Sequence, residues 1–154
     1  MRKTPEKQRR SDTKRIAVVA SRFNEFITQR LLKACLAELA VCGVAQKFIK
    51  TVWVPGAFEI PLAALRLAKK KDVAAVICLG AVIRGETFHF ELIAQNCAGG
   101  ITEVALKTGK PVVFGVLTTN NTKQAYQRSQ PKGENKGKDA ARCAIDMINL
   151  NHSF

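Results

Sequence analysis

A chain of 154 residues, 47% hydrophobic and 24% charged, holds enough apolar material for one sizeable core without help from disulfides or metal. Its apolar runs fall short of the roughly 18 residues that cross a bilayer, and Met1-Arg2-Lys3-Thr4-Pro5 leads into more charge rather than the apolar stretch of a secretory signal, so no membrane association and a cytoplasmic location are expected. The net charge of +13 is weighted towards the start, with seven bases among residues 1–15 against Glu6 and Asp12; with 6% aromatics and no nucleic-acid motif, this charge reads as a solvated basic arm over residues 1–14, and nucleic acid is not expected as a partner.

Residues 15–154 read as a single domain of alternating strands and helices. Ile16-Ala17-Val18-Val19-Ala20 is a short buried strand. Ile27, Leu31, Ala34, Cys35 and Leu39 share a helical face that Gly43 ends. Phe48 to Val54 is β-rich and stops at Pro55-Gly56. A helix is expected from Phe58 to Lys71, with Pro61 tolerated only in its first turn. Val73 to Ile83 is the most apolar run, a central strand buried on both faces. The next helix carries Phe90, Ile93, Ala94, Cys97, Ile101, Val104 and Ala105 on its core face and should start immediately after the strand. Pro111 to Leu117 is a fourth strand. Asn120-Asn121 caps a short helix to about Arg128, residues 129–137 form a loop, and Ala140, Cys143, Ala144, Met147 and Ile148 mark the last helix. This order predicts an α/β fold, a three-layer α/β/α sandwich on a four-stranded parallel sheet of flavodoxin-like type.

In such sheets ligands bind outside the carboxyl ends of the strands, so the chemistry belongs in the four loops found there. Phe23, after the first strand, either stacks on a flat ligand or staples the start of the helix. After the second strand, the Pro55-Gly56 turn lets a ligand approach the backbone. Glu59 either favours the helix dipole or accepts hydrogen bonds from ligand hydroxyls. After the third, Gly80 and Gly85 bracket a strand end that leads into a helix, an arrangement suited to phosphate. His89, off the core stripe, is a proton-transfer candidate or a solvated surface histidine. After the fourth, Arg128 either pairs bidentately with a phosphate or is a solvated arginine. Cys35, Cys42, Cys78, Cys97 and Cys143 are odd in number and lack C-x-x-C spacing. Neither His89 nor His152 lies near them in a zinc-like pattern, so reduced thiols and no metal are expected. The chemistry suggested is proton shuttling on a phosphate-bearing small molecule without a metal or redox cofactor.

Five segments in order resemble the lumazine synthase family: Ser21-Arg22-Phe23-Asn24, Trp53 to Pro61, Gly80 to His89, Phe114 to Thr119, and Asn135-Lys136-Gly137. The resemblance implies condensation of 5-amino-6-(D-ribitylamino)uracil with 3,4-dihydroxy-2-butanone 4-phosphate to 6,7-dimethyl-8-ribityllumazine, phosphate and water, without a cofactor. It implies that Phe23 stacks on the pyrimidine, that Ala57, Phe58 and Glu59 hold the ribityl chain, and that Ala81, Val82 and Ile83 meet the ring edge. By the same resemblance Glu86 and Thr87 take the phosphate and His89 shuttles protons. Phe114 and Arg128 would reach in from a neighbouring subunit, with Arg128 on the phosphate, and Lys136 would lie near the pyrimidine. The partners implied are further copies of the chain, as a pentamer or a sixty-subunit shell, and riboflavin synthase. One departure stands out: where the family usually runs Glu-Arg-Ala-Gly, this chain reads Gln127-Arg128-Ser129-Gln130, followed by Pro131. The loop length matches the shell-forming pattern, and the proline departs from it.

Overall fold

The computed structural model describes residues 14–154. The reading of residues 1–14 as a basic arm therefore falls, except for Lys14, outside the described residues. Four strands alternate with helices: β1 Arg15–Ser21, α1 Glu25–Val41, β2 Ile49–Val54, α2 Ile60–Ala68, β3 Val73–Ile83, α3 His89–Thr108, β4 Val112–Thr119, α4 Thr122–Gln127 and α5 Lys136–Asn151. Single 3₁₀ turns at Gln46–Phe48 and Ala57–Glu59 lead into β2 and α2. All pairings are parallel, in the order β2-β1-β3-β4. This is the order in which a flavodoxin-like sheet begins, and its direction of growth reverses between β1 and β3.

Strand parity sorts the core into two layers. Ile16, Val18, Ile77 and Leu79 face α1 and α5, whereas Ala17, Val19, Val76 and Cys78 face α2 and α3. With helices on both sides, β1 and β3 need no polar face, which is why they read as continuous apolar runs. Ile77 and Leu79 are fully buried, and each such side chain contributes roughly 1.5–3 kcal/mol. On the first side α1 and α5 cross in direct backbone contact. A Cβ built on Gly137, in the first turn of α5, would collide with the carbonyl of Leu31. Arg142 Nε donates to Glu38 Oε1 at 2.6 Å further along the same crossing.

Several expected boundaries move; the loop expected over 129–137 gives way to α5 at Lys136, and β2 starts at Ile49 rather than Phe48. The helix after β2 begins at Ile60 behind a 3₁₀ turn, with Pro61 in its first turn, and ends at Ala68 rather than Lys71. Lys69 and Lys70 turn the chain instead, and Val73 N–H bonds to Lys70 carbonyl so that β3 can start. The helix after β3 does not follow at once: five residues, Arg84–Phe88, separate Ile83 from His89. β4 continues to Thr119, because its pairing with β3 runs to the Ile83–Thr119 register. Asn121 caps α4 through Gln124 N–H at 2.8 Å, in the place expected.

Cys35, Cys78 and Cys97 are buried free thiols, while Cys42 and Cys143 are exposed. Burial pushes Cys35 up to about 12 and Cys97 up to about 11, and raises Cys78 as well. Among the described residues no group of three or more His, Cys, Asp or Glu side chains could hold a metal ion, and no helix is long and apolar enough to cross a membrane.

Candidate active site

The ends of three strands are laced together by hydrogen bonds. Past the end of β1, Arg22 N–H reaches the Val54 carbonyl at 2.8 Å and Phe23 N–H reaches the Pro55 carbonyl at 3.0 Å, so the first loop lies along the second. Asn24 then adopts the left-handed conformation, φ 59° and ψ 41°, which asparagine tolerates better than most residues. From there its Nδ2 donates to the Ala81 carbonyl at 2.9 Å, tying the first loop to β3. The lacing leaves the Phe23 ring 72% exposed over the strand ends.

In the second loop the absence of a side chain at Gly56 matters. A Cβ there would stand 3.2 Å from Glu59 Oε2, so the bare backbone leaves that carboxylate room. Ala57 is buried under the turn, while Phe58 and Glu59 are exposed. In the third loop the Thr87 hydroxyl lies 3.4 Å from His89 N–H, at the start of α3. The first turn of a helix leaves N–H groups without helical partners, and its dipole favours an anion.

These loops enclose a cleft of about 900 Å³ at the carboxyl ends of β1, β2 and β3, where the sheet order reverses. Phe23, Ala57, Phe58, Glu59, Ala81, Val82, Ile83, Thr87 and His89 all line it. Glu86 does not; it is exposed, and the wall passes from Gly85 to Thr87. A carboxylate beside a phosphate would repel it, so any help from residue 86 is confined to its N–H.

Sequence reasoning missed Phe90, Leu92, Ile93 and Asn96, which complete the wall. His89, Leu92, Ile93 and Asn96 repeat at three and four residues, so helical spacing alone carried this signal. Phe90 and Ile93 were read as core. Both are only partly buried, packing on the α2–α3 layer while also lining the cleft.

Phe114, Arg128 and Lys136 lie elsewhere. They line a second cavity of about 830 Å³ along β4, the last strand of the sheet, together with Cys143 and Met147 of α5. Phe114 is 45% exposed there. Arg128 donates to the Gln124 carbonyl at 3.1 Å, and Lys136 Nζ sits 3.4 Å from Glu134 and 3.5 Å from Asp139. The two bases are held side by side by a small antiparallel bridge, Ser129 with Asn135, in which Lys136 N–H bonds to the Arg128 carbonyl at 2.9 Å. Asn135 secures the bridge. Its side chain caps α5 through Gly137 N–H at 2.9 Å and donates to the Gln130 carbonyl at 3.0 Å.

The cleft thus offers aromatic faces, one carboxylate, one histidine and a helix N-terminus, while among the described residues no lysine or arginine lines it. The arginines near its rim are committed elsewhere: Arg22 to Glu25 and the Trp53 ring, Arg84 to Glu91 and the Phe90 ring. A site of this kind can orient a flat, hydroxylated ligand and move a proton. The family model for 6,7-dimethyl-8-ribityllumazine synthase matches residues 13–152, nearly the whole chain, and the chain accordingly belongs to that family of riboflavin-biosynthesis transferases.

Proposed function

We infer that the chain condenses 5-amino-6-(D-ribitylamino)uracil with 3,4-dihydroxy-2-butanone 4-phosphate to 6,7-dimethyl-8-ribityllumazine, phosphate and water, in the cytoplasm, at sites shared between adjacent copies of a homopentamer. The observation that carries the reading is the division of the expected residues between the cleft and the cavity along β4, each lacking what the other supplies. Phe23 stacks on the pyrimidine, and Ala81, Val82 and Ile83 bound its edge. Phe58 and Glu59 hold the ribityl hydroxyls. The first turn of α3, with Thr87, receives the phosphate, and the neighbour's Arg128 neutralises it. The neighbour's Phe114 and Lys136 close the pyrimidine side.

The chemistry needs little more than this. An amine and a ketone held in register gain up to roughly 7–11 kcal/mol from positioning alone. His89, beside the phosphate turn, adds proton transfer during imine formation and phosphate departure, worth typically about 10²–10⁴-fold. Riboflavin synthase, which would consume the product, is the natural functional partner.

The test mixes purified protein with both substrates and follows the fluorescent lumazine against a blank without enzyme. Product well above the blank is expected. Product at the blank rate, from protein with an intact melting transition, overturns the activity and leaves a scaffold of the same fold. Sedimentation velocity reads the assembly: a pentamer and a shell of twelve pentamers separate widely.

A further inference from the structure

Arg84 is the first residue after β3 and the only basic residue between Ile83 and His89. Its charge and position invite a phosphate in the neighbouring turn, yet its guanidinium is spent otherwise. Its Nη1 pairs with Glu91 Oε1, its Nε donates to Asn120 Oδ1 at 3.1 Å, and its plane lies over the Phe90 ring, 4.5 Å from the centroid. Its backbone N–H bonds to the Thr119 carbonyl at 2.8 Å. Arg84 is therefore fixed to the end of β4, to the loop that follows it and to the first turn of α3.

Those contacts straddle the turn that matters. Residues 85–88 run from Arg84 to His89, and the Arg84–Glu91 pair closes them into a ring with the start of α3. Gly85 and Thr87, within the ring, and His89 and Phe90, at its closure, all line the cleft. Glu91 depends on this partner. One carboxylate oxygen meets Arg84, and the other is buried without a hydrogen bond. The Arg84 hydrogen bond is the first cause of the lowered Glu91 pKa. A guanidinium suits this position because it is planar, always charged, and able to stack and bond in its own plane at once; lysine offers only a point charge.

We propose that Arg84 is a positioning residue: clamped between Asn120 of the β4–α4 loop and Glu91 and Phe90 of α3, it sets the anion-binding turn 85–88 and the placement of His89 without itself touching phosphate. The proposal rests on the reading of that turn as the phosphate site. It assigns to Arg84 the opposite of the role that its charge and position invite.

Three measurements on Arg84→Met decide it. Amide hydrogen exchange at residues 85–89, with no ligand, becomes faster in the variant. Binding of inorganic phosphate to the whole protein weakens by about tenfold, the order of effect expected when a site loosens by a fraction of an ångström. In turnover, KM for the phosphorylated ketone rises by a similar factor, while KM for the uracil substrate stays within about twofold. Arg84→Lys restores only part of each effect. Asn120→Ala, which removes one bond and spares the ion pair, moves the same quantities in the same direction by about two- to threefold and serves if Arg84→Met fails to melt cooperatively. Unchanged exchange, or unchanged phosphate affinity and KM in a folded variant, overturns the clamp. Failure of the wild-type protein to bind phosphate overturns the phosphate reading of the turn, and the exchange measurement still decides whether Arg84 holds it.

Discussion

The cleft at the strand ends and the cavity along β4 are similar in size and opposite in character. The first is built from loops laced together by hydrogen bonds, and among the described residues its wall holds rings, one histidine and no lysine or arginine. The second is built on a regular strand and a long helix, and it carries Arg128, Lys136 and Lys110. Among the described residues, the cleft offers a phosphorylated ligand a helix N-terminus but no lysine or arginine. Around Arg128 and Lys136, among the described residues, no histidine and no pair of stacking rings lines the cavity. The difference is what the proposed function builds on: if the sites are shared, one copy supplies orientation and proton transfer and the next supplies charge.

The harshest way to break this comparison is Gly137→Val. The new side chain meets the Leu31 backbone, so α5 must move or the crossing must open, costing about 1–3 kcal/mol or more. The melting temperature should fall by several degrees, and activity should fall with it as Lys136 and Arg128 lose their mounting. A melting curve unchanged from wild type would show that the crossing has slack. Next in size, His89→Ala should slow turnover by about 10²-fold or more without abolishing it, while Arg128→Ala should mainly raise KM for the phosphorylated ketone. The sharper experiment unfolds and reassembles the two variants together. Sites pairing an intact cleft with an intact β4 cavity then form in about one contact of four, so about a quarter of wild-type activity should return. No recovery in mixed assemblies would place both residues in one chain's site.

Smaller effects test the two cavities separately. Cys42 and Cys143 are exposed on one chain, but Cys143 lines the β4 cavity. A thiol reagent at neutral pH should modify Cys42 in the assembled protein and spare Cys143 until subunits are separated. Cys35, Cys78 and Cys97, buried and with raised pKa values, should remain unmodified in both states. Equal modification of Cys143 before and after dissociation would mean that no neighbour covers the cavity. The smallest effect belongs to Glu91. Its pKa is lowered in the folded chain, chiefly by the Arg84 hydrogen bond, so the pairing stabilises fully above the ordinary glutamate range and is lost as the pH falls through the lowered value. The difference in melting temperature between wild type and Glu91→Gln should be constant near neutral pH and close in acid. A difference that widens in acid would contradict the sign of the shift.

Much of this was legible in the residues. Val73–Ile83 was readable to both ends because a strand buried on both faces is an unbroken apolar run, here closed by charged Lys71-Asp72 and Arg84. The loops holding Phe23, Glu59 and His89 followed from the parallel order alone. Helix ends were less legible. Lys69-Lys70-Lys71 are good helix formers, and nothing local says that α2 must stop at Ala68; the need to return to β3 does. The five-residue turn before His89 was hidden for a similar reason, since only Gly85 in it is a turn former. The separation of Phe114 from the other aromatics was not legible in spacing, because it depends on β4 being the last strand of the sheet, which is a property of the topology.

The bridge between Ser129 and Asn135 bears on how such a chain tolerates change. Backbone bonds from Lys136 to Arg128 and from Gln130 to Glu134 close the loop at its neck, and Arg30 grips the Ser129 carbonyl from α1 at 2.9 Å. The tip, Pro131-Lys132-Gly133, hangs beyond that neck. Substitutions at the tip, Pro131 among them, are thereby insulated from the pair of cations at the base. On the shared-site proposal, the tip can drift in sequence while the charges offered to a neighbouring copy stay where they were, so assembly and catalysis would vary on separate dials.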